Sequence, residues 1–283
     1  VDDPNPDTSV PGSSLIAGIG FVSGIRCMIY VDDSGINAGA TTIKTIEKGL
    51  FLLDMAKKHK LPLVHLVESA GANLLQYQVQ LWALGGGQFA KLAELSSMGI
   101  PIVTILHGLS TAGGAYMPGM SDYVIGVKEN GMAALAGANL LRAATGEESS
   151  DKDLGGAEVH SKITGLVEYL ADNDKHAIEV GRKVVKALDW NRDFKGLSKK
   201  VFSGPKYSPK EIIGVVSEDY RKPYDVREVA CRIVDRSDFI EFKPNYGIST
   251  VCLQAEIFGI SCALIGNNGP IDPNGATKAA HFF

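Results

Sequence analysis

One stretch of the chain occurs twice, and this repeat limits the possible folds more than any other feature. The segment VSGIRCMIYVDD, residues 22–33, reappears as IFGISCALIGNN, residues 257–268, so that Gly24 matches Gly259 and Cys27 matches Cys262. Beyond it, the triplet Gly-Ala-Thr of residues 39–41 matches residues 275–277 after one inserted residue. A repeated order of elements predicts two structurally related domains.

Apolar runs rich in β-branched residues alternate with longer segments of helical periodicity, and Ser23-Gly24 predicts a tight turn between the first two runs. This alternation indicates an α/β fold, in which helices cover the strands. The predicted strands are residues 15–22, 26–31, 61–67, 100–107, 122–127 and 163–169, and the predicted helices are residues 41–59, 74–98 (interrupted at Gly85-Gly86-Gly87) and 172–190.

The regular pattern ends near residue 190, which suggests a domain boundary. Residues 191–223 lose periodicity and gain Lys, Pro and Gly, as a linker with one short helix does. We therefore predict a first domain over residues 1–190, a linker over 191–223, and the start of a second domain over 224–283. This second copy reaches only its first helix, so we expect the given chain to be a fragment, or a partner polypeptide to complete it.

Charge and cysteine spacing exclude several classes of function. The 28 Lys and Arg against 32 Asp and Glu give a net charge of -4 without long runs of either sign, so binding of nucleic acid or membrane surfaces is not expected. No stretch approaches the ~20 apolar residues of a membrane span. The four cysteines lack C-x-x-C spacing and predict reduced thiols in a cytosolic protein, and no zinc-ligand spacing occurs.

The strongest chemical signal is the segment ILHGLSTAGGAYMPGMSD, residues 105–122. A buried strand runs through Ala112-Gly113-Gly114-Ala115 into a short helix. Glycines at such a turn leave backbone N–H groups accessible, and donors of this kind can stabilise an oxyanion such as the enolate of a thioester. The alternative is that Gly113 and Gly114 only permit close helix packing, and residue types alone do not separate the two.

A second turn of small residues, Ala70-Gly71-Ala72, follows the preceding strand of the same predicted sheet. Ligands of open α/β sheets bind at the carboxyl ends of the strands, where both turns should lie. The histidines at these strand ends, His65 and His107, are interpreted either as a ligand or base or as hydrogen-bonded structural residues.

Five motifs in a fixed order add a resemblance to this picture. The chain resembles the carboxyltransferase (beta) subunit of biotin-dependent acyl-CoA carboxylases of the methylcrotonyl-, geranyl- or propionyl-CoA type. The motifs are ESAGANL (68–74), TAGGAYMPGMSD (111–122), AATGE (143–147), DLGGAEVH (153–160) and YDVREVACRIVD (224–235).

The resemblance implies a crotonase-like (ClpP/crotonase) fold with duplicated domains, of which the second is incomplete here. It implies that the first domain binds acyl-CoA and that the second domain of a neighbouring subunit binds carboxybiotin, so that the site lies at an interface of a homo-oligomer. The carboxyl group would pass to the carbon activated by the thioester, and biotin's ureido nitrogen would take the proton. The biotin would be carried by a biotin carboxyl carrier or biotin carboxylase subunit, no metal is implied, and the location would be cytoplasmic or the mitochondrial matrix.

Carried over by position, the resemblance makes the amides of Gly113 and Gly114 the catalytic donors. It makes Ala70, Gly71, Ala72, Ala112, Ala115, Ala136 and Gly137 the substrate-binding residues. Two of these segments depart from the family, whose first turn has Gly-Gly where Ala70-Gly71 stands, and whose Gly-Gly-Pro-Pro is replaced at residues 136–139. The acyl chain is therefore left open.

Four other functions share the scaffold. A biotin-dependent decarboxylase would look nearly identical, and a non-catalytic assembly subunit would suit an incomplete second domain. A crotonase-type hydratase needs paired glutamates near the turn; residues 113–120 contain none, although Glu147 and Glu148 lie downstream. A serine peptidase needs a nucleophile at the turn, where Thr111 is the only adjacent hydroxyl.

Overall fold

A six-stranded sheet organises the first part of the chain. The computed structural model describes residues 13–74, 78–190, 202–219 and 221–283, which divide into two compact units, Val1–Asn191 and Arg192–Phe283. The strands of the first unit are β1 (Leu15–Val22), β2 (Ile25–Asp32), β3 (Leu63–Val67), β4 (Ile102–Leu106), β5 (Leu109–Thr111), β6 (Tyr123–Val127), β7 (Met132–Ala134) and β8 (Tyr169–Ala171).

The helices of the first unit lie between these strands, as the alternating sequence pattern predicts. They are α1 (Ile43–His59), α2 (Val79–Ser97), α3 (Gly113–Gly119), α4 (Ala138–Thr145), α5 (Asp151–Gly155), α6 (Ala157–Val159) and α7 (Asp174–Ala187), and a π-helical turn covers His160–Thr164. The predicted strand at residues 163–169 is therefore wrong over most of its length, because this turn occupies its start and β8 begins only at Tyr169.

The strand order of the large sheet is β1-β2-β3-β4-β6-β8, in which β1 and β2 form an antiparallel hairpin and the other neighbours are parallel. The short strands β5 and β7 form a separate parallel pair. Because β3 and β4 are parallel neighbours, the segments that follow them leave the sheet at the same edge. The two small-residue turns of the sequence lie in these segments.

Helix α1 begins and ends where local chemistry dictates. Thr42 caps its first turn by accepting from the Thr45 amide, and Lys60 ends it in the left-handed conformation. The buried core beneath α1 includes Leu53, Met28 and Leu63 from helix and sheet. A second buried cluster, around Val67, Leu106 and Val124, lies under α3.

Helix α2 runs without a break from Val79 to Ser97, so the predicted interruption at Gly85-Gly86-Gly87 is wrong. Two of these glycines face α1: a β-carbon on Gly85 would meet the Ile46 side chain at 3.8 Å, and one on Gly87 would meet Leu50 at 3.7 Å. The glycine run thus places α2 close to α1, and the helix tolerates its weak local propensity because tertiary packing compensates for it.

The second unit contains a three-stranded antiparallel sheet of order β11-β10-β9. Its elements are α8 (Ile212–Val215), α9 (Val226–Ala230), β9 (Phe239–Phe242), β10 (Thr250–Ile257), β11 (Ile260–Asn267) and α10 (Pro273–Phe282). Within the predicted linker, a 3₁₀ turn at Pro209–Glu211 runs into α8, while residues 191–201 and 220 lie outside the described residues. The linker itself stays a prediction.

The hairpin of the second unit repeats that of the first, residue for residue. Val22 pairs with Ile25 around a two-residue turn, and Ile257 pairs with Ile260 in the same way. The turn residues adopt matching left-handed angles, with φ of 51° and 82° at Ser23 and Gly24 and of 52° and 72° at Phe258 and Gly259. The Gly-Ala-Thr match is different: residues 39–41 precede α1, whereas residues 275–277 lie inside α10. A helix follows the hairpin in both units, so the structural repeat includes the hairpin and the next helix, while the Gly-Ala-Thr triplet takes a different place in each.

Two smaller observations complete the fold. All four cysteines are free thiols, and Cys27 and Cys252 are buried. In the part of the chain that the structure describes, no helix has the length and apolar character needed to span a bilayer.

Candidate active site at the strand-to-helix turn

Residues 111–115, which we call the elbow, connect β5 to α3. At its centre Ala112 has φ of 49° and ψ of -117°. A residue with a β-carbon is strained at these angles by about 1–3 kcal/mol, and such strain persists only where surrounding bonds enforce it. The strained backbone geometry at Ala112 therefore lowers the stability of the folded chain and is maintained by the contacts around the elbow.

Backbone bonds from two directions enforce this geometry. The Thr111 amide donates to the Ser69 oxygen at 2.9 Å, and the Ala112 amide donates to the Ala134 oxygen at 3.0 Å. The Thr111 hydroxyl also donates to the Ala70 oxygen at 3.2 Å. The elbow is thus held between the turn after β3 and the end of β7.

Two glycines allow the backbones to come this close. A β-carbon on Gly114 would lie 2.4 Å from the Ser69 oxygen, and one on Gly71 would lie 2.9 Å from the Thr111 oxygen. Gly71 also has φ of 80°, which a residue with a side chain adopts only with strain. The close-packing interpretation of Gly114 is therefore correct, and it holds together with the donor interpretation below.

The amides of Gly113 and Gly114 are the remaining donors of the elbow. Neither donates to an acceptor within residues 13–74, 78–190, 202–219 and 221–283, whereas the next amide, that of Ala115, bonds to the Ala112 oxygen at 3.1 Å. Gly113 is half-buried and Gly114 is buried. Two adjacent unsatisfied N–H groups at a strained turn can stabilise negative charge on a single oxygen.

One wall of the elbow is aromatic. A β-carbon on Gly113 would meet the ring of Phe89 at 3.7 Å, and that ring packs on Tyr116 with centroids 5.2 Å apart. Phe89 is half-buried in α2, and Tyr116 is exposed on α3. An apolar surface beside the two amides excludes water from one side, which strengthens their interaction with an anion.

Two hydroxyl groups near the elbow bond to the backbone, whereas the hydroxyl of the fully buried Ser110 has no hydrogen-bond partner in the described residues. Ser69 is 4% exposed and donates to the Gly39 oxygen at 2.8 Å, and the Thr111 hydroxyl bonds to Ala70 as described above. Neither hydroxyl has a histidine among its hydrogen-bond partners. This arrangement does not favour the serine-peptidase alternative, which requires an activated nucleophile.

The other predicted binding residues fall into two groups. Ala70, Gly71 and Ala72 form the turn after β3, which is tied to residues 38–41 through bonds that include Thr41 to the Gly71 oxygen at 2.7 Å. Ala136 and Gly137 lie between β7 and α4, where the adjacent Ala138 amide donates to Asp151 at 2.7 Å. The structure therefore joins the first group directly to the elbow through Ser69 and Ala70, and the second only through the strand that ends at Ala134.

The histidines differ in their surroundings. His65 is 3% exposed and bonds to Asp32 at 3.1 Å, which confirms its structural interpretation. His107 Nδ1 lies 3.9 Å from Glu68 Oε2, which is too far for a hydrogen bond, and Glu68 accepts instead from the Ser34 hydroxyl at 2.8 Å.

His107 and Glu68 belong to a cleft of about 490 Å³ that the sequence motifs did not indicate. Its walls also include Glu129, Asp151, Asp174 and Lys152, and Gly113 and Gly114 are not among its lining residues. Four carboxylates against one lysine disfavour an anionic ligand such as the phosphates of coenzyme A. We therefore locate the candidate site at the elbow and not in this cleft.

Sequence reasoning also missed three residues that build the elbow: Ser69, Ala134 and Phe89. Ser69 and Ala134 act through backbone oxygens, which side-chain patterns do not reveal. Phe89 is 24 positions before Gly113 and meets it only through the packing of α2.

Comparison with known proteins identifies the family. The family model described as carboxyl transferase domain matches residues 3–283 of the chain. The chain belongs to the carboxyl transferase domain family.

Relatives of this carboxyl transferase domain include a probable biotin-dependent acyl-coenzyme A carboxylase beta2 subunit of Mycobacterium tuberculosis. It is 42% identical over 272 residues, which are 96% of this chain and 51% of that protein. The chain spans about half the length of the curated relatives it matches. These findings confirm the resemblance drawn from the five motifs.

Two solved structures are similar to this chain in fold. The beta subunit of P. aeruginosa geranyl-CoA carboxylase shares 45% identity with a TM-score of 0.60, over 96% of this chain and 51% of that one. The transcarboxylase 12S subunit, described as a hexamer with hydrolysed methylmalonyl-coenzyme A bound, shares 27% identity with a TM-score of 0.84, over 95% of this chain and 54% of that one. The crotonase-like carboxyltransferase fold predicted from the motifs is thereby confirmed.

Proposed function

We propose that this carboxyl transferase domain carries the acyl-CoA half of a biotin-dependent acyl-CoA carboxylase, and that the elbow holds the thioester oxygen. The observation that carries the proposal is the pair of amides at Gly113 and Gly114, which have no acceptor in the described residues and follow a strained alanine. The names of the relatives, which are acyl-CoA carboxylase subunits, support the same substrate class.

The chemistry asked of the elbow is stabilisation of charge. When the carbon activated by the thioester loses a proton, negative charge moves to the thioester oxygen, and the two amides donate hydrogen bonds to that oxygen. Removing one donor of such a pair costs about 3–4 kcal/mol of transition-state stabilisation. The strain at Ala112 is useful in this scheme, because the donors are oriented before the substrate binds.

Biotin, carried on a partner subunit, would supply the carboxyl group when bound, and its ureido nitrogen would take the proton that leaves the acyl carbon. That nitrogen would be free to take the proton once it has released the carboxyl group as CO2, and the resulting enolate carbon would then bond to that CO2. Within the described residues we assign no group to biotin itself. The elbow needs neither a base nor a nucleophile of its own, and it has neither.

The environment of the downstream glutamates supports this proposal over a hydratase. Glu147 and Glu148 are exposed after the end of α4, and Glu148 faces Arg142 at 3.7 Å. Paired glutamates that activate water would have to lie beside the thioester, within hydrogen-bond reach. A decarboxylase would use the same elbow in the opposite direction, and the assay below separates the two directions.

The test is carboxylation by the full-length protein with its biotin-carrying partner. Labelled bicarbonate and ATP are supplied with 3-methylcrotonyl-, geranyl- or propionyl-CoA, and label in the acyl product is measured. The reverse reaction is followed as ATP-independent loss of label from the carboxylated thioester. We expect net fixation into one of the thioesters; fixation into none of the three contradicts the proposal, and label loss without fixation identifies a decarboxylase.

A matched pair of variants assigns the activity to the elbow. G113P removes the amide hydrogen, whereas G113A keeps it and adds a β-carbon that meets Phe89 at an ordinary 3.7 Å. We expect G113P to lower kcat by about 10²–10³ and G113A to lower it less than tenfold. Equal activity of the two variants would show that this amide is not a donor and would leave the proposed role of the elbow without support.

A further inference from the structure

The DLGGAEVH motif ends at His160, which the proposed chemistry does not use. His160 opens the π-helical turn His160–Thr164, and its two ring nitrogens both have partners. Nε2 lies 2.8 Å from the Ala133 oxygen, and Nδ1 lies 2.8 Å from the Thr164 hydroxyl. Turns of this π type occur frequently at functional sites, because the extra residue redirects a side chain.

The Ala133 carbonyl requires a hydrogen on Nε2 of His160. A carbonyl oxygen only accepts, so Nε2 must carry the hydrogen that it shares with Ala133. The Thr164 hydroxyl can donate its one hydrogen either to Nδ1 or to the His160 main-chain oxygen at 3.4 Å, while its oxygen accepts from the Leu166 amide at 3.3 Å. The hydrogen on Nε2, and with it the donation to the Ala133 oxygen, is required whichever of the two the hydroxyl chooses.

The carbonyl that His160 binds lies on the strand that holds the elbow. Alternate residues of β7 bond to the residues that flank β5: the Met132 amide donates to the Gly108 oxygen at 3.2 Å, and the Ala134 oxygen accepts from the Ala112 amide at 3.0 Å. The carbonyl of Ala133, between them, faces away from β5. It is buried with its residue, which is 5% exposed.

The space around the Ala133 oxygen is closely fitted. A β-carbon on Gly155 would lie 2.2 Å from that oxygen, so only glycine permits the approach. The Ala157 amide donates to the Gly131 oxygen at 2.8 Å and ties the same segment to β7. One side of β7 is thus bound by residues 155–160, and the other side holds Ala112 in its strained conformation.

From these contacts we propose that His160 is a positioning residue for the elbow: by donating to Ala133 it fixes the Ala134 carbonyl, and through Ala112 it sets the direction of the Gly113 and Gly114 amides. His160 does not touch the substrate. The inference rests on the proposed function, since it concerns the same pair of donors. A loss of position of about 1 Å at such a site can cost ~10² in rate.

The experiment measures hydrogen bonding from the elbow to the thioester oxygen. The full-length protein binds 3-methylcrotonyl-, geranyl- and propionyl-CoA labelled with ¹³C at the thioester carbon, and difference infrared spectra report the carbonyl stretch. Donors aimed at the oxygen shift this band to lower wavenumber. We expect H160L to lose most of the shift and to lower kcat roughly 10- to 100-fold with KM within about threefold, whereas H160Q, which keeps a donor, retains most of both.

The control is H176L. His176 is a histidine of the same unit whose Nδ1 accepts from the Asp172 amide at 3.1 Å, and we expect its replacement to leave band and kcat unchanged. If H160L does not fold, T164V, which removes the hydroxyl that orients the ring and accepts from the Leu166 amide, should produce a smaller loss of shift.

Three results would decide against the inference. A full carbonyl shift in both H160L and T164V overturns the positioning role while leaving the proposed function intact. Equal loss in H160L and H160Q also overturns it, because a purely structural effect does not depend on the donor. Absence of a shift in the unsubstituted protein with all three thioesters contradicts the proposed function, and the inference with it.

Discussion

The main-chain oxygen of Ser69 occupies the space that a β-carbon on Gly114 would need, since the two would be 2.4 Å apart. The same oxygen accepts the Thr111 amide at 2.9 Å, so it cannot move away without breaking the bond that anchors the elbow. Ser69 and Gly114 therefore fix the distance between two turns that are 45 positions apart in the chain.

The first prediction concerns G114A. The added methyl group must push two backbone segments apart, and we expect the free energy of unfolding to fall by about 1–3 kcal/mol. Carboxylation should fall at least 100-fold, because the donors move with the backbone. Urea titration and the label assay measure the two effects. The control is G119A in the same helix, where nothing lies within 4 Å of an added β-carbon and where we expect little change in stability. Unchanged stability in G114A together with lower stability in G119A would contradict the packing argument.

The second prediction concerns A112G. Glycine adopts φ of 49° and ψ of -117° without the cost that alanine carries, so the substitution should raise the free energy of unfolding by about 1 kcal/mol. The same conformational freedom lets the Gly113 and Gly114 amides change direction, and we therefore expect kcat to fall several-fold. Chemical denaturation together with kcat tests both parts. A variant that is both less stable and fully active would show that Ala112 is not strained.

The third prediction uses a buried lysine of the second unit. Lys278 is 0% exposed, its Nζ has no hydrogen-bond partner in the described residues, and burial lowers the pKa of its amine from 10.5. Its nearest carboxylate, Glu241 at 4.0 Å, is already bound by Arg227 through bonds of 2.7 and 2.5 Å. Replacing the lysine should therefore leave no orphaned charge.

We expect K278M to be more stable than the parent by about 1 kcal/mol at neutral pH. Because the folded pKa is lowered, the unfolded chain binds more protons between that pKa and 10.5, and parental stability rises with pH across this window. The advantage of K278M should shrink as the pH approaches 10.5. Denaturation at several pH values measures it, and an advantage that grows with pH would reverse the assignment.

The fourth prediction concerns the thiols. Cys27 is 0% exposed and burial raises its pKa to about 11, so almost none of it is thiolate at about pH 8. Iodoacetamide should modify the half-exposed Cys231 and Cys262 of the native chain while leaving Cys27 unmodified until the chain unfolds. Peptide mass analysis after timed alkylation reports each site. Modification of Cys27 at the rate of Cys262 would mean that the hairpin core opens in the native state.

Much of the first unit could be predicted because periodicity and burial agree there. Strand Leu15–Val22 has the predicted bounds, and α1 differs from its prediction only at the amino end, where Thr42 caps it. The predicted interruption of α2 at Gly85-Gly86-Gly87 is wrong because it considers only the low helix propensity of glycine. Packing of Gly85 and Gly87 against Ile46 and Leu50 keeps the helix intact. The predicted strand at residues 163–169 is wrong over most of its length because a short mixture of apolar and polar residues does not distinguish a strand from the end of a π-helical turn.

The sequence predicts the two glycines of the candidate site but does not predict the residues that hold them in position. Gly113 and Gly114 are visible as a motif, but the groups that orient them are the oxygens of Ser69 and Ala134, which every residue possesses. The contact from His160 to Ala133 joins positions 27 apart through a ring nitrogen, and nothing in the spacing indicates it. Main-chain acceptors become evident only when the fold brings them together.

The use of main-chain groups at the elbow has a practical consequence for mutagenesis. A systematic alanine scan would keep Ala112 as it is and would leave the N–H of Gly113 in place, so the residues closest to the proposed chemistry would score as tolerant or as folding defects. Only proline, ester or other backbone replacements can silence these donors individually. A map built from side-chain truncation alone should therefore miss the proposed donor role of Gly113 and should assign the effect at Gly114 to packing.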